Sequence, residues 1–318
     1  MKNPVKISLL LAVVAAIAVA MFWFNRNTRP AKPPAVSPVL STTAPVAQPA
    51  PVHSLAQSLQ QPPVEALSEQ MRLIVRPDGK MGFGERVEAV HAINADLNSE
   101  EIRAFYGYLL APAHNPDDRI QENWLRNEMM DKLVTQQKPP ADLAGTLVAI
   151  YQDKDQDVVM RDYAIQHMNP AYAQANAEEK AALRQALWQA TGETDSSIAG
   201  TALLALNDLS QNNTEFEKNK ITEAALKLVS NEQCGELARI TAVQICGRTS
   251  ATQAEPLVLQ LAQSAGSIPL RITAIAALGD LGDRSVENFL QQIAAGNEDR
   301  LKPAAESALK RLNKRLGT

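Results

Sequence analysis

Arg239-Ile240-Thr241-Ala242 recurs as Arg271-Ile272-Thr273-Ala274, 32 residues further along the chain. A literal repeat at that spacing falls in the period range of folds in which one supersecondary unit stacks on the next. With Arg239 and Arg271 as the reference position, equivalent residues fall at Arg86, Arg126, Arg161, Ala199 and Lys302, at successive spacings of 40, 35, 38, 40, 32 and 31. The register predicts seven units. Three residues on, the column reads Ala89, Met129, Ala164, Ala202, Ala242, Ala274 and Ala305. Seven on, it reads Ile93, Leu133, Met168, Leu206, Cys246, Leu278 and Leu309. Positions three and seven share a helix face, so a small residue admits a neighbouring helix while a larger one fills the space beside it.

Between these segments lie others with apolar residues at helical spacing, among them 141 to 151, 178 to 190, 222 to 229 and 286 to 294. Each unit is therefore expected to be an antiparallel helix pair. The turns between helices are assigned to Asn115-Pro116-Asp117-Asp118, Asn169-Pro170, Gly192, Asn212-Asn213 and Gly296-Asn297. Composition agrees: aromatics are 4% of the 318 residues and there are 14 Gly, too few of either for a sandwich or barrel. A net charge of −4 argues against nucleic acid, whose binders carry a basic surface that displaces counterions.

The run Leu270-Arg271-Ile272-Thr273-Ala274-Ile275-Ala276-Ala277-Leu278-Gly279-Asp280-Leu281-Gly282-Asp283 resembles a unit of the HEAT-like repeat family, which includes short repeats related to phycobilisome lyases. The resemblance covers roughly residues 85 to 316, with this unit the most typical. Neither the Trp-x-x-Leu-Gly signature of tetratricopeptide repeats nor the Thr-Pro-Leu-His of ankyrin repeats occurs. The resemblance implies an all-α fold, an α-solenoid in which antiparallel helix pairs wind as a right-handed superhelix. It also implies a surface that binds a protein or peptide partner rather than a reaction.

The amino terminus reads as a membrane signal. Residues 7 to 24 are 18 consecutive uncharged, almost wholly apolar residues, a reach of about 27 Å as a helix, close to a bilayer core. Lys2 and Lys6 precede the run, and Ala18-Val19-Ala20 fits a cleavage site, so secretion after cleavage near Ala20 is the alternative to a retained anchor. Met21-Phe22-Trp23-Phe24 favours retention, because interfacial aromatics suit an uncleaved helix. Arg26, Arg29 and Lys32 come after the run, so the charge count alone does not set orientation. Both a signal peptide and a simple signal anchor export the chain downstream of them. The expected placement is the inner (plasma) membrane, single-pass, with the repeats on the periplasmic side.

Nine of the 19 prolines lie between residues 30 and 63, with Lys32 the one charge there. This is a tether that could reach on the order of 100 Å if stretched as polyproline II. The expected organisation is an anchor over 1–29, a disordered Pro/Ala-rich linker over 30–66, a lead-in segment over 67–84 and the repeats over 85–318. Within the lead-in, Arg76-Pro77-Asp78-Gly79 predicts a turn closing a short hairpin. Gly79-Lys80-Met81-Gly82-Phe83-Gly84 lacks the spacing and Lys-Ser/Thr pair of a phosphate-binding loop.

Candidate chemistry is sparse. Basic residues hold the reference position in six of seven units, and such a ladder could grip an anion. Glu122, Asp157, Glu236 and Asp299, three or four residues ahead of four of them, favour local helical ion pairs instead. Asp153-x-Asp155-x-Asp157 begins like a calcium loop, but Val158 and Ala164 stand where Gly and Glu are required, which leaves Asp157 as a helix cap. His53, His91, His114 and His167 lack ligand spacing, and no catalytic triad, metal-binding or haem motif occurs. No catalytic, cofactor-binding or metal residue is nominated, no small-molecule substrate is inferred, and the chain reads as a scaffold rather than an enzyme. An accessory subunit of an enzyme is the alternative.

Cys234 and Cys246 are expected to stay unpaired near opposite ends of one helix, Cys246 lying in the apolar column. Lys310-Arg311-Leu312-Asn313-Lys314-Arg315 reads as a polar terminal cap whose cations suit the helix dipole.

Overall fold

The computed structural model describes residues 62–76, 81–93, 96–111 and 118–317. The apolar run at 7–24 and nearly all of the proline-rich tether lie outside them. The described residues form fourteen α-helices and no strand. In chain order these are α1 (Glu69–Val75), α2 (Phe83–His91), α3 (Ser99–Leu110), α4 (Arg119–Val134), α5 (Leu143–Gln152), α6 (Val158–Tyr172) and α7 (Ala177–Ala190). They continue as α8 (Ile198–Leu209), α9 (Lys218–Ser230), α10 (Glu236–Arg248), α11 (Glu255–Ser264), α12 (Ile268–Leu281), α13 (Glu287–Ala295) and α14 (Lys302–Leu316).

Local chemistry starts and stops these helices. Asn98 and Asn176 each accept two amide hydrogen bonds in a capping box closed by Glu101 and Glu179. Asp157 accepts from the Val159 amide and Ser267 from the Leu270 amide. Pro256, Pro269 and Pro303 sit in the first turns of α11, α12 and α14, where a missing N–H costs nothing. Gly317 ends α14 in the left-handed region at φ 74°.

The even-numbered helices carry the reference column and pack in series, each on the next, from α2 to α14. Each odd-numbered helix packs on the even-numbered helix that comes after it, and α5 on α7, α1 on α3 and α9 on α11 make further contacts along the second row. The result is two rows of helices built by stacking helix pairs, consistent with an α-solenoid. The core runs between the rows. Met129, Ala164, Ala202, Ala242, Ala274 and Ala305 in the small column are fully buried, as are Leu133, Met168, Leu206, Cys246 and Leu278 in the larger one. The terminal members Ala89, Ile93 and Leu309 are only partly buried. Close approach between neighbouring helices shows at Gly279, where a Cβ would lie 2.6 Å from the Ala308 Cα on α14.

Two local expectations are corrected. The segments flanking Arg76-Pro77-Asp78-Gly79 are helices α1 and α2, not strands of a hairpin, and α1 supplies the first helix of the first pair; residues 77–80 lie outside the described residues. Met71 and Ile74 of α1 are buried, so the segment before the turn is ordered by helical burial against α2 and α3 rather than by strand pairing. Asn169-Pro170 is not a turn, since α6 runs through it to Tyr172. Pro170 removes one helical hydrogen bond, but the helix ends two residues later, and burial of Ala171 and Tyr172 holds the last turn in place. Gly192, Asn212-Asn213 and Gly296-Asn297 do lie between helices, and residues 115–117 are outside the described set.

Candidate functional site: the arginine column and the cleft at Arg239

A helix leaves its last carbonyls without partners, and they carry the negative end of its dipole. The column arginines meet that need. Arg86 donates through Nε and Nη2 to the Ile74 carbonyl at 2.8 and 2.6 Å, at the end of α1. Arg161 Nε donates to the Tyr151 carbonyl at 2.7 Å, at the end of α5, and Arg271 Nε to the Ala262 carbonyl at 3.2 Å, in the last turn of α11. Arg126 reaches the Leu109 carbonyl of α3 at 3.5 Å, and Arg239 Nη2 the Val229 carbonyl of α9 at 3.3 Å. Each arginine thus ties the second helix of its pair to the end of the first.

Several also bind across units. Arg161 Nη2 lies 2.8 and 2.7 Å from the two carboxylate oxygens of Glu193, in the turn before α8. Arg271 makes a two-nitrogen contact with Glu298, in the turn before α14, at 2.9 and 3.2 Å. Arg86 lies 5.1 Å from the ring centres of both Phe83 and Tyr108, and Tyr108 belongs to the next pair. The acids predicted from local spacing account for fewer of these contacts. Glu122 pairs with Arg126 at 2.6 Å and Asp299 with Lys302 at 3.4 Å. Asp157 serves instead as the cap of α6 while accepting from Asn123 Nδ2 at 2.8 Å, and Arg239 turns to the Val229 carbonyl. The exposed helical pair expected for Arg161 is corrected: it is 7% exposed, and its carboxylate partner lies 32 residues away.

Burial pushes the Glu193 carboxyl up, but hydrogen bonds from Lys154 and Arg161 outweigh it and hold the group below its ordinary value. Burial pushes the Tyr151 hydroxyl up, with the Glu193 carboxylate adding to the shift. These groups are held in fixed charge states by packing and pairing.

The remaining sequence candidates have structural roles. Asp153 Oδ1 accepts from the Asp155 amide, an Asx turn. The Gly82 amide, which would face an anion in a phosphate cradle, donates to Glu85 Oε2 at 2.8 Å. His91 contacts Glu128 at 2.7 Å, and buried His167 donates from Nε2 to Asn127 Oδ1 at 3.0 Å; His53 and His114 lie outside the described residues. Cys246 lies within α10 and Cys234 just ahead of it; both are free and buried. The terminal helix is more than a solvated cap. Arg311 Nε donates to Asp280 and its Nη2 to the Ala276 carbonyl, both at 2.7 Å, and Arg315 donates to the Gly282 carbonyl. Among the described residues no three His, Cys, Asp or Glu side chains are grouped as a metal site, and no helix is long and apolar enough to cross a membrane.

Two features escaped the sequence. Exposed large apolar side chains, namely Ile120, Trp124, Val158, Val159 and Leu237, all fall in the first two turns of the even-numbered helices α4, α6 and α10. Trp124, Val159 and Leu237 each stand two residues before the column arginine, a periodicity that could have singled them out. The second is a cleft of about 510 Å³ beside Arg239, lined also by Val229, Leu257, Leu261, Ser264, Ser267 and Leu270.

Residues 222–310 match the family model for HEAT repeats. No curated protein matches the sequence. Among solved structures, human deoxyhypusine hydroxylase in complex with glycerol is similar to this chain at 19% identity and a TM-score of 0.35, over 83% of this chain and 100% of that one.

Proposed function

We propose that this chain, a stack of helix pairs in which residues 222–310 match HEAT repeats, is a membrane-tethered scaffold that holds a protein or peptide partner. The observation that carries the proposal is the set of exposed apolar side chains near the starts of α4, α6 and α10. Ile120 is 83% exposed and Trp124 45% exposed, and Val158, Val159 and Leu237 are exposed as well. Large apolar groups recurring at one register position are the anatomy of a contact surface, with Trp the residue type most often central to binding energy. The column cations, by contrast, are engaged within the stack.

Tethering rests on residues 7–24 and the proline-rich segment after them. An uncleaved apolar helix leading into an extended linker places the repeats away from the bilayer, on the extracytoplasmic side of the inner membrane. The helix pairs wind in the right-handed sense implied by the family. The scaffold performs no catalysis of its own.

Site-specific photocrosslinking in native membranes tests the partner surface. A photoreactive residue at Trp124 is expected to capture a discrete partner, whereas one at exposed Asn288 on α13 captures none. Equal yields at the two positions, or none at Trp124, contradict the proposal. Protease added to spheroplasts is expected to remove the repeats; protection until the inner membrane is lysed would reverse the orientation.

A further inference from the structure

Two of the five column arginines share an arrangement across units that Arg239 lacks, and the other two have Glu122 or aromatic rings as partners instead. Arg161 and Arg271 each receive a carboxylate from the turn that opens the second helix of the next pair, Glu193 and Glu298. These acids stand six and four residues ahead of the next reference position. For Arg239 those places hold Ala265 and Ser267, so the next turn supplies no carboxylate. The guanidinium keeps only a 3.3 Å bond to the Val229 carbonyl, and its buried Nε has no hydrogen-bond partner. The cleft opens there. Arg239, Ser264 and Ser267 are among its polar lining, and Val229, Leu257, Leu261 and Leu270 supply apolar lining.

We infer that the Arg239 cleft takes the carboxylate of a partner polypeptide, most closely a chain terminus with an aliphatic last residue, in the place that Glu193 and Glu298 fill in the neighbouring units. The Nη groups of a guanidinium, which Arg161 and Arg271 turn to Glu193 and Glu298, match a carboxylate's oxygens. Ser264 and Ser267 hydroxyls offer further donors, and an aliphatic side chain fits among the three leucines. Exposed Glu232 and Glu236 also line the cleft. Their negative charge opposes any anion, and opposes a dianion such as phosphate about twice as strongly as a single carboxylate. The inference rests on the partner-holding reading and adds the chemical class of one anchoring group.

The test uses the full chain in non-ionic detergent and fluorescein-labelled Ala-Ala-Ala-Leu peptides, with fluorescence anisotropy as the readout. One peptide ends in a free carboxylate, one in a carboxamide, and a third places Glu before a terminal carboxamide. The free acid is expected to bind at least about tenfold more tightly than the amide, the loss of one charge-assisted contact. Arg239→Gln is expected to abolish the difference. Ala265→Glu, which supplies an internal carboxylate where Glu193 stands relative to its own unit, is expected to block binding of the acid peptide while raising the urea midpoint. It thereby separates occupancy of the cleft from loss of fold. Preference for the Glu carboxamide over the terminal acid would identify a side chain as the carboxylate's source. Equal binding of acid and amides, no binding by any peptide, or acid binding that survives both Arg239→Gln and Ala265→Glu overturns the inference. Trp124 photocrosslinking that persists in that case leaves the scaffold reading standing.

Discussion

Arg161 stands at a junction of three elements: its Nε is 2.7 Å from the carbonyl of Tyr151 in its own helix pair, and its Nη2 is 2.7 Å from Glu193 Oε2 in the next. One side chain thus closes the end of α5, anchors it to α6 and fastens that pair to the turn before α8. In a stack where each unit touches only its neighbours, stability is the sum of unit and interface contributions, and such a residue contributes to both.

Arg126 is the most deeply buried case, 1% exposed beside Glu122. Arg126→Ala leaves a buried carboxylate uncompensated and is expected to lower stability by about 3–5 kcal/mol in urea denaturation. The paired change Arg126→Met with Glu122→Leu removes both charges and is expected to recover most of that loss. A double variant no more stable than Arg126→Ala alone would mean that shape, not charge, dominates at this site.

Gly279 packs tightly against Ala308 where α12 meets α14. An added Cβ would meet the Ala308 Cα at 2.6 Å and its carbonyl oxygen at 2.7 Å, both backbone atoms that cannot swing aside. Gly279→Ala is expected to destabilise by about 1–3 kcal/mol despite alanine's higher helix propensity. Gly145 on α5, with nothing within 4 Å of such a Cβ, is the control. Gly145→Ala is expected to be neutral or to stabilise by up to about 1 kcal/mol.

Burial pulls the His167 imidazole down from 6.5 to about 4. Between those values the unfolded chain binds a proton that the folded chain refuses, so this contribution is full above pH 6.5 and is lost as pH falls toward 4. It amounts to about 3–4 kcal/mol at one pKa unit per 1.36 kcal/mol. Burial pushes the Asp131 and Asp162 carboxyls up, which acts in the opposite sense, so the variant must be compared with the unsubstituted chain. His167→Gln is expected to flatten the fall in urea midpoint between pH 7 and 4.5. An unchanged slope would place the imidazole in a wetter site.

Burial pushes the Cys246 thiol up to about 11, and its side chain is fully enclosed. Reaction with a thiol reagent at pH 8 is expected only at the rate at which the stack opens. Rapid labelling mapped to Cys246 in the native chain would show that α10 separates readily from its neighbours.

The repeat was legible because the Ala and Leu columns record which face of each even-numbered helix is buried, and burial selects residue size directly. What an arginine touches left a weaker trace. Its carbonyl partners lie 9 to 17 residues back, at helix ends whose positions sequence places only loosely. The Glu193 and Glu298 partners lie 32 and 27 residues ahead, in turns of unequal length. Local spacing therefore pointed to Asp157 for Arg161, although that carboxylate is engaged as the cap of α6. Pro170 misled for a related reason: a proline near a helix end signals a turn locally, while packing of Tyr172 against Phe216, with ring centres 5.2 Å apart, favours one more helical turn.

The central claim, that the arginine column joins the stack together rather than presenting a charged ladder, is tested most directly by a double-mutant cycle on Arg161 and Glu193. Urea denaturation of Arg161→Ala, Glu193→Ala and the double variant yields their coupling. The predicted result is a loss of about 2–4 kcal/mol for Arg161→Ala and a coupling of at least about 1 kcal/mol between the two residues. Unchanged stability in Arg161→Ala, with the two single effects adding to the double within about 0.3 kcal/mol, would contradict the account.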